Sequence, residues 1–155
     1  MRKVFFIIFA LIVAGPIWAA SALAQKPSEA KPDAQKPATN FLSSSPAYAE
    51  LLLRRTELQS EIESLIIDYT EDFPKVKEDR YAMSLIDRDI ARLGKTKPSE
   101  SSKLTLALGK LMIRKIELES DLWNLQKNYQ DGHPDVKKAK RKLEIYDTAI
   151  EQILN

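Results

Sequence analysis

The sequence has no cysteine, only four glycines and one histidine among its 155 residues, and aromatic residues make up 8% of it. Without cysteine the chain forms no disulfide and no cysteine-ligated zinc site, and we expect no lipid anchor attached to an N-terminal cysteine. Scarce glycine and sparse β-branched runs after the first 20 residues disfavour a β-rich domain. Charged residues are abundant at 30%, which is typical of amphipathic helices with a large solvated face.

An excess of one charge is also lacking. The chain holds 24 basic and 22 acidic residues, a formal net charge of +2. Arg2 and Lys3 lie in a segment that we expect to be removed, and the 22 basic residues that remain balance the 22 acidic ones. A neutral mature chain has no general attraction for a phosphate backbone, so we predict no nucleic-acid partner.

The first 24 residues have the features of an export signal. A basic start precedes the apolar residues 4–18, and Ala22 and Ala24 place small side chains before a cut at Gln25. The apolar stretch is shorter than the roughly 20 residues that a transmembrane helix needs. We predict a signal peptide over residues 1–24, cleavage between Ala24 and Gln25, and a bacterial periplasmic or secreted protein. The alternative is an uncleaved membrane anchor.

Residues 25–45 (QKPSEAKPDAQKPATNFLSSS) are rich in proline, alanine, serine and lysine. Such a composition buries too little apolar surface to offset the entropy of ordering. Prolines recur every five residues, at Pro27, Pro32 and Pro37, which favours extended conformations. We therefore predict a disordered tether over residues 25–45.

The rest of the chain is an internal duplication. Residues 51–93 align without a gap on residues 111–153, an offset of 60, and the phrase Tyr-x4-Pro-x-Val-Lys starts at Tyr69 in one half and at Tyr129 in the other. We name residues 46–93 copy 1 and residues 103–155 copy 2, with residues 94–102 as the link between them.

Apolar residues in each copy follow the alternating spacing of three and four that marks a coiled-coil seam. Arg55 in copy 1 and Lys115 in copy 2 occupy the same slot of that seam. Each copy also carries a proline, which a helix accepts at its first position but not in its interior. This proline therefore predicts a reversal between two helices. The predicted turn residues are Phe73, Pro74, His133 and Pro134. The predicted fold is all-α, with two tandem antiparallel helical hairpins that close into a four-helix bundle or pair with other chains.

No catalytic arrangement is evident in the sequence. His133 is the one histidine, and its counterpart in copy 1 is Phe73, so we expect it to act in the turn rather than in catalysis. The carboxylates lie among Arg and Lys at helical spacings of three and four, as on solvated faces. No nucleophile motif or phosphate-binding loop occurs. We predict no enzyme activity, no cofactor and no metal site.

Two features are candidate interaction sites. Trp123 replaces Glu63 of copy 1 beside the seam, where it either widens the buried stripe or anchors a partner. The last helix carries a basic run, which is either a solvated face or a contact for an anionic glycan, a membrane surface or an acidic protein. The run consists of Lys137, Lys138, Lys140, Arg141 and Lys142.

The phrase around the second turn, from Leu125 through Tyr129, Asp131, His133 and Pro134 to Lys137, resembles the periplasmic coiled-coil hairpin of polysaccharide co-polymerases and chain-length determinants. Copy 1 departs from it where Phe73 replaces the histidine. The resemblance covers about 30 residues per copy and implies a hairpin architecture and a place near polysaccharide assembly or export. We expect an envelope scaffold that binds protein partners, itself among the candidates, through its helical seams. The alternative is a periplasmic holdase chaperone.

Overall fold

The computed structural model describes residues 40–155, and all of its regular elements are helices. The prediction of an all-α fold built from helical hairpins is confirmed. The predicted signal peptide and residues 25–39 of the predicted tether lie outside the described residues. The elements are α1 (Asn40–Ser43), α2 (Pro46–Asp68), α3 (Pro74–Leu93), a 3₁₀ helix (Pro98–Lys103), α4 (Leu106–Asn128) and α5 (Pro134–Leu154).

Local sequence explains where the long helices begin. The Ser45 hydroxyl accepts a hydrogen bond from the Tyr48 backbone N–H at 3.3 Å, and the Thr105 hydroxyl accepts one from the Leu108 N–H at 3.2 Å. These bonds satisfy N–H groups that have no partner inside a first helical turn. Helices α2, α3 and α5 also begin with a proline, whose missing N–H needs no such partner.

The prediction that the disordered tether extends to residue 45 is wrong. Residues 40–45 belong to the fold, because Phe41 and Leu42 pack against the hydrophobic core and Ser45 donates a hydrogen bond to the Leu42 carbonyl at 2.8 Å. The composition of residues 25–45 as a whole is polar and proline-rich, which conceals the apolar pair at its end. Its two apolar side chains lie at the C-terminal end, where they bury enough surface to offset ordering.

The link between the copies is also structured. It contains the 3₁₀ helix, after which Leu104 is buried in the core and its carbonyl accepts a hydrogen bond from the Ala47 N–H at 3.3 Å. The Lys103 ammonium donates to the carbonyl of Leu154 at 3.0 Å. The link thus ties the starts of α2 and α4 to the end of α5.

The two hairpins pack on one another within one chain. Helix α4 lies against α2, α3 and α5, so it occupies the middle of the stack. Helix α5 follows α4 and meets the other elements near its C-terminal end, where Ile150 joins the common core and Glu151 pairs with Arg92. Of the two arrangements that the seam left open, packing between the hairpins of one chain is therefore present, as a stack with α5 on its outer side.

The duplication is visible in the contacts as well as in the sequence. Across each hairpin, the cation in the seam pairs with an aspartate of the returning helix. Arg55 Nε lies 2.8 Å from Asp87 Oδ1, and Lys115 Nζ lies 3.1 Å from Asp147 Oδ1. Both partners are related by the offset of 60. This pair explains why each seam tolerates a charged residue among its apolar positions.

Candidate functional site

The four predicted turn residues form two matching hairpin tips. The Tyr69 ring stacks on Phe73 with centroids 4.1 Å apart, and the Tyr129 ring stacks on His133 at the same distance. Only the second tip has a side-chain cap, since His133 Nδ1 accepts a hydrogen bond from the Asp135 N–H at 3.2 Å. The histidine therefore acts in the turn, and its stack accounts for the aromatic residue at that position in both copies.

The contact between the copies joins two different faces. We define the back face of a copy as the side of its second helix that contains, in copy 1, Tyr81, Ala82, Leu85, Arg88 and Asp89. We define the front face as the side of its first helix that contains, in copy 2, Gly109, Met112, Ile116, Glu119, Ser120 and Trp123. The back face of copy 1 packs on the front face of copy 2, and α2 packs on the same helix α4 where Ala47 and Glu50 lie beside Gly109.

Apolar, aromatic and charged groups all contribute to this contact. Leu85 and Met112 are buried in one core cluster. The Tyr81 and Trp123 rings stack with centroids 4.8 Å apart, and the Arg88 guanidinium lies 2.8 Å from Glu119. The combination of a buried apolar centre with polar groups around it is that of a specific protein interface.

Gly109 allows α2 and α4 to approach closely. A Cβ atom at this position would lie 2.9 Å from the Glu50 Cβ and 3.0 Å from the Ala47 Cα. A side chain would therefore force the two helices apart. Sequence reasoning missed this residue, although a glycine inside a helical pattern, where copy 1 has Ala49, was a usable signal.

Trp123 contacts residues of its own chain. Its ring lies between Tyr81 and Lys127, whose ammonium is 3.3 Å from the ring centroid. It is partly buried at the contact between the copies, and its role in widening the buried stripe stays a prediction. A role as an anchor for an external partner stays a prediction.

Each copy has one further face of this kind that no other helix covers. These are the front face of copy 1, on α2, and the back face of copy 2, on α5, and we call them the outer front face and the outer back face. The outer front face, on α2, contains Leu52, which is 42% exposed, and the adjacent Leu53 is 57% exposed. The outer back face, on α5, contains Ile145, which is 58% exposed. In the contact between the copies, the counterparts of Leu52 and Ile145 are the buried Met112 and Leu85. The remaining members are Ala49, Thr56, Gln59, Ser60 and Glu63 in front, and Arg141, Lys142, Thr148 and Ala149 behind.

The basic run is partly neutralised within the chain. Lys140 Nζ lies 2.9 Å from Asp131 and the Arg141 guanidinium 2.6 Å from Glu144, while Lys138 Nζ is 3.5 Å from Asp135. In the described part of the chain, Lys137 and Lys142 have no carboxylate within 4.0 Å. All five side chains are exposed.

A polar cleft of about 270 Å³ opens between the copies, lined by residues of α2, α3 and α4. Asp79 is buried there with Lys75 Nζ 2.8 Å from its Oδ1, while its Oδ2 has no hydrogen-bond partner. Burial raises the pKa of the Asp79 carboxyl above its ordinary value, against the opposing effect of Lys75.

Within residues 40–155, no cluster of three or more acidic or histidine side chains is placed to hold a metal ion. No helix of that region has the length and apolarity needed to cross a bilayer. Comparison with known proteins gives no match, whether with protein-family models, curated proteins or solved structures.

Proposed function

We propose that this protein is an exported, non-enzymatic scaffold of the bacterial envelope that binds helical protein partners through its outer faces. The observation that carries the proposal is the exposure of apolar residues on both outer faces. Leu52 and Ile145 correspond to Met112 and Leu85, and a neighbouring helix covers both of these counterparts. The chain thus presents, on each side, a surface of a kind that it already uses to bind a helix.

Helical spacing supports this use of the surface. Leu52, Thr56 and Glu63 lie on one side of α2, and Arg141, Ile145 and Thr148 on one side of α5, at the separations of three, four and seven that place anchors into a neighbouring helix. A single exposed leucine needs no explanation. Here, however, both exposed apolar residues are related by the offset of 60 to residues that are buried in the contact between the copies. This correspondence supports a binding role.

A place beside polysaccharide assembly or export is the finer part of the proposal. It is supported by the resemblance of the turn around His133 and Pro134 to the periplasmic hairpin of chain-length determinants. Deletion of the gene should then change the amount or the chain length of an exported polysaccharide, measured by gel filtration of the polymer. An unaltered polymer would remove this part and leave the scaffold itself in place.

In-cell photocross-linking tests the scaffold. The full chain with its leader is expressed with a photoreactive amino acid at position 52 or 145, and in a control at Leu106, which is 45% exposed but has the exposed Pro46 as its counterpart. We expect discrete adducts from positions 52 and 145 and none from position 106. Absence of discrete adducts from both outer faces would contradict a scaffold, and a continuous smear of many masses would indicate a holdase chaperone instead.

A further inference from the structure

We infer that the occupant of these outer faces is a second copy of the chain, so that the outer back face of one chain binds the outer front face of the next. The inference rests on the proposed function and names its partner. It predicts that chains associate head to tail, repeating between molecules the packing that copies 1 and 2 have within one molecule.

The contact between the copies is the template. It joins a back face to a front face, so it is heterologous: the two sides are different surfaces of similar units. Each copy has both kinds of face, since each copy is the same hairpin. One back face and one front face are therefore left over at opposite ends of the two-copy stack. A heterologous contact that does not close on itself adds units indefinitely, as in repeat proteins and filaments.

Charge complementarity between the leftover faces supports self-association. Applying the offset of 60 to the stacked pair Tyr81–Trp123 gives Arg141 of one chain opposite Glu63 of the next. The aromatic stack inside the molecule is thus replaced by two opposite charges. Arg141 is 73% exposed and pairs with Glu144 of its own helix, and Glu63 is exposed and accepts a hydrogen bond from Gln59. Both groups lie at the surface, and they exchange these local partners to form the pair between chains.

The remaining pairs of the template are also compatible. Leu85 and Met112, which share a core cluster, translate into Ile145 and Leu52, two exposed apolar side chains. The ion pair Arg88–Glu119 becomes Thr148 with Gln59, two groups that can hydrogen-bond. The new contact therefore keeps an apolar centre with polar groups beside it.

Ala49 predicts that the helices approach less closely between chains than they do within one chain. Ala49 takes the place of Gly109, and the Gly109 environment leaves no room for a Cβ atom without a shift of Ala47 or Glu50. The equivalent helices of two chains must lie further apart there. We accordingly expect reversible association that depends on concentration.

Sedimentation velocity of the purified full-length product tests the inference. We expect the sedimentation coefficient of the unaltered chain to rise with concentration past that of a dimer. Leu52→Glu blocks the outer front face and Ile145→Glu blocks the outer back face, so each variant alone should be monomeric. Both sites are exposed, so each variant should keep the helical circular dichroism of the unaltered chain.

Mixing the two variants distinguishes a head-to-tail contact from a symmetric one. Ile145→Glu retains its front face and Leu52→Glu retains its back face, so an equimolar mixture should form a dimer that grows no further. A symmetric dimer would use one face twice and would not be restored by mixing. Failure of the mixture to form dimers, or an unaltered chain that stays monomeric at millimolar concentration, would overturn the inference.

Charge reversal provides a second, independent readout. Arg141→Glu should lose most of the association, and the additional change Glu63→Arg should restore it. Lys137→Glu is the matched control, because its counterpart Lys77 pairs with Asp72 in its own turn and takes no part in the template. Equal losses from Arg141→Glu and Lys137→Glu would contradict the assigned pair.

The cross-linking experiment separates failure of this inference from failure of the scaffold. Adducts from positions 52 and 145 at multiples of the chain's own mass support self-association. Discrete adducts of another mass alone would overturn self-association and retain the scaffold. Absence of adducts would overturn both.

Discussion

The two copies fold alike but bury different parts of themselves. In copy 1 the second helix, α3, is covered on both sides, and Leu85 is only 6% exposed. In copy 2 the corresponding helix, α5, is covered by α4 on one side, and Ile145 at the same position is 58% exposed. The hairpin itself determines the seam between its two helices. The place of each helix in the stack determines whether its other side is buried or exposed.

The copies also differ in the charge that they bury. Copy 1 places Asp79 and Asp89, which are 2% and 1% exposed, on the side of α3 that meets copy 2, and each has one oxygen without a hydrogen-bond partner. Copy 2 has Ala139 and Ala149 at these positions. Burying a carboxylate without full hydrogen bonding costs free energy, so the contact between the copies contains groups that are not optimised for stability.

The largest effect should come from comparing the equivalent residues of α3 and α5. Leu85→Ala removes a buried side chain and should lower the free energy of unfolding by about 3 kcal/mol. Ile145→Ala, its matched control, should lower the free energy by less than about 0.5 kcal/mol, because the side chain is already in water. Urea denaturation at a concentration where the chain is monomeric measures both. Similar losses would show that α5 is covered as fully as α3.

The approach of α2 and α4 gives the next largest effect. Gly109→Leu should lower the free energy of unfolding by about 2 kcal/mol, since the strain of overpacking exceeds the gain in helix propensity. Ala49→Leu at the exposed counterpart should change it by less than about 0.5 kcal/mol. Thermal unfolding followed by circular dichroism is the measurement. An unchanged midpoint for Gly109→Leu would mean that the helices lie further apart than the structure shows.

Replacing Asp79 with the alanine of copy 2 should stabilise the protein. Asp79→Ala should raise the free energy of unfolding by about 1 kcal/mol at pH 7, because Lys75 stays half exposed and keeps Glu61 within 3.3 Å. Burial raises the folded pKa of Asp79, so its ionisation opposes folding as the pH rises from the unfolded pKa through the folded pKa.

Below that pH window Asp79 is protonated in both states, so the gain from Asp79→Ala should disappear. Urea denaturation at pH 7 and again below about pH 4 tests this dependence. Asp87→Ala is the control at an exposed carboxylate, where loss of the pair with Arg55 should cost at most about 0.5 kcal/mol. A gain from Asp79→Ala that is equal at both pH values would argue against the buried ionised carboxylate as its cause.

The smallest effect concerns the hairpin tips. His133→Phe converts the second tip to the sequence of the first, keeps the ring stack and removes the bond from the Asp135 N–H, for a loss of about 0.5 kcal/mol. Phe73→His is the reverse substitution and should produce a small gain. Thermal unfolding measures both changes. A large loss for His133→Phe would mean that the imidazole makes a contact beyond the turn.

The helices and turns were predictable because their signals are local. Pro74 and Pro134 mark the first residues of α3 and α5, and the apolar spacing identifies the seam that each hairpin buries. The two outer faces and the role of Gly109 were missed, because they depend on how one hairpin lies against the other. Two copies with nearly the same periodicity give no sequence signal for which faces meet.

Trp123 shows the same limit at a single residue. The sequence marked it as an unusual replacement for Glu63 but left its role open. Its stack on Tyr81 could not be deduced, because Tyr81 lies 42 positions earlier and belongs to the other copy. The composition of residues 25–45 likewise hid Phe41 and Leu42, whose burial requires a core that only the folded copies provide.

Helix propensity, apolar spacing and proline specify the two hairpins, because each acts over distances of a few residues along the chain. The stacking of back face on front face, with α4 in the middle and α5 outside, depends on contacts between the copies. These contacts require close complementarity between surfaces distant in sequence, such as the space above Gly109 and the ring stack at Trp123. Each of these is created by the partner surface and has no local signal of its own.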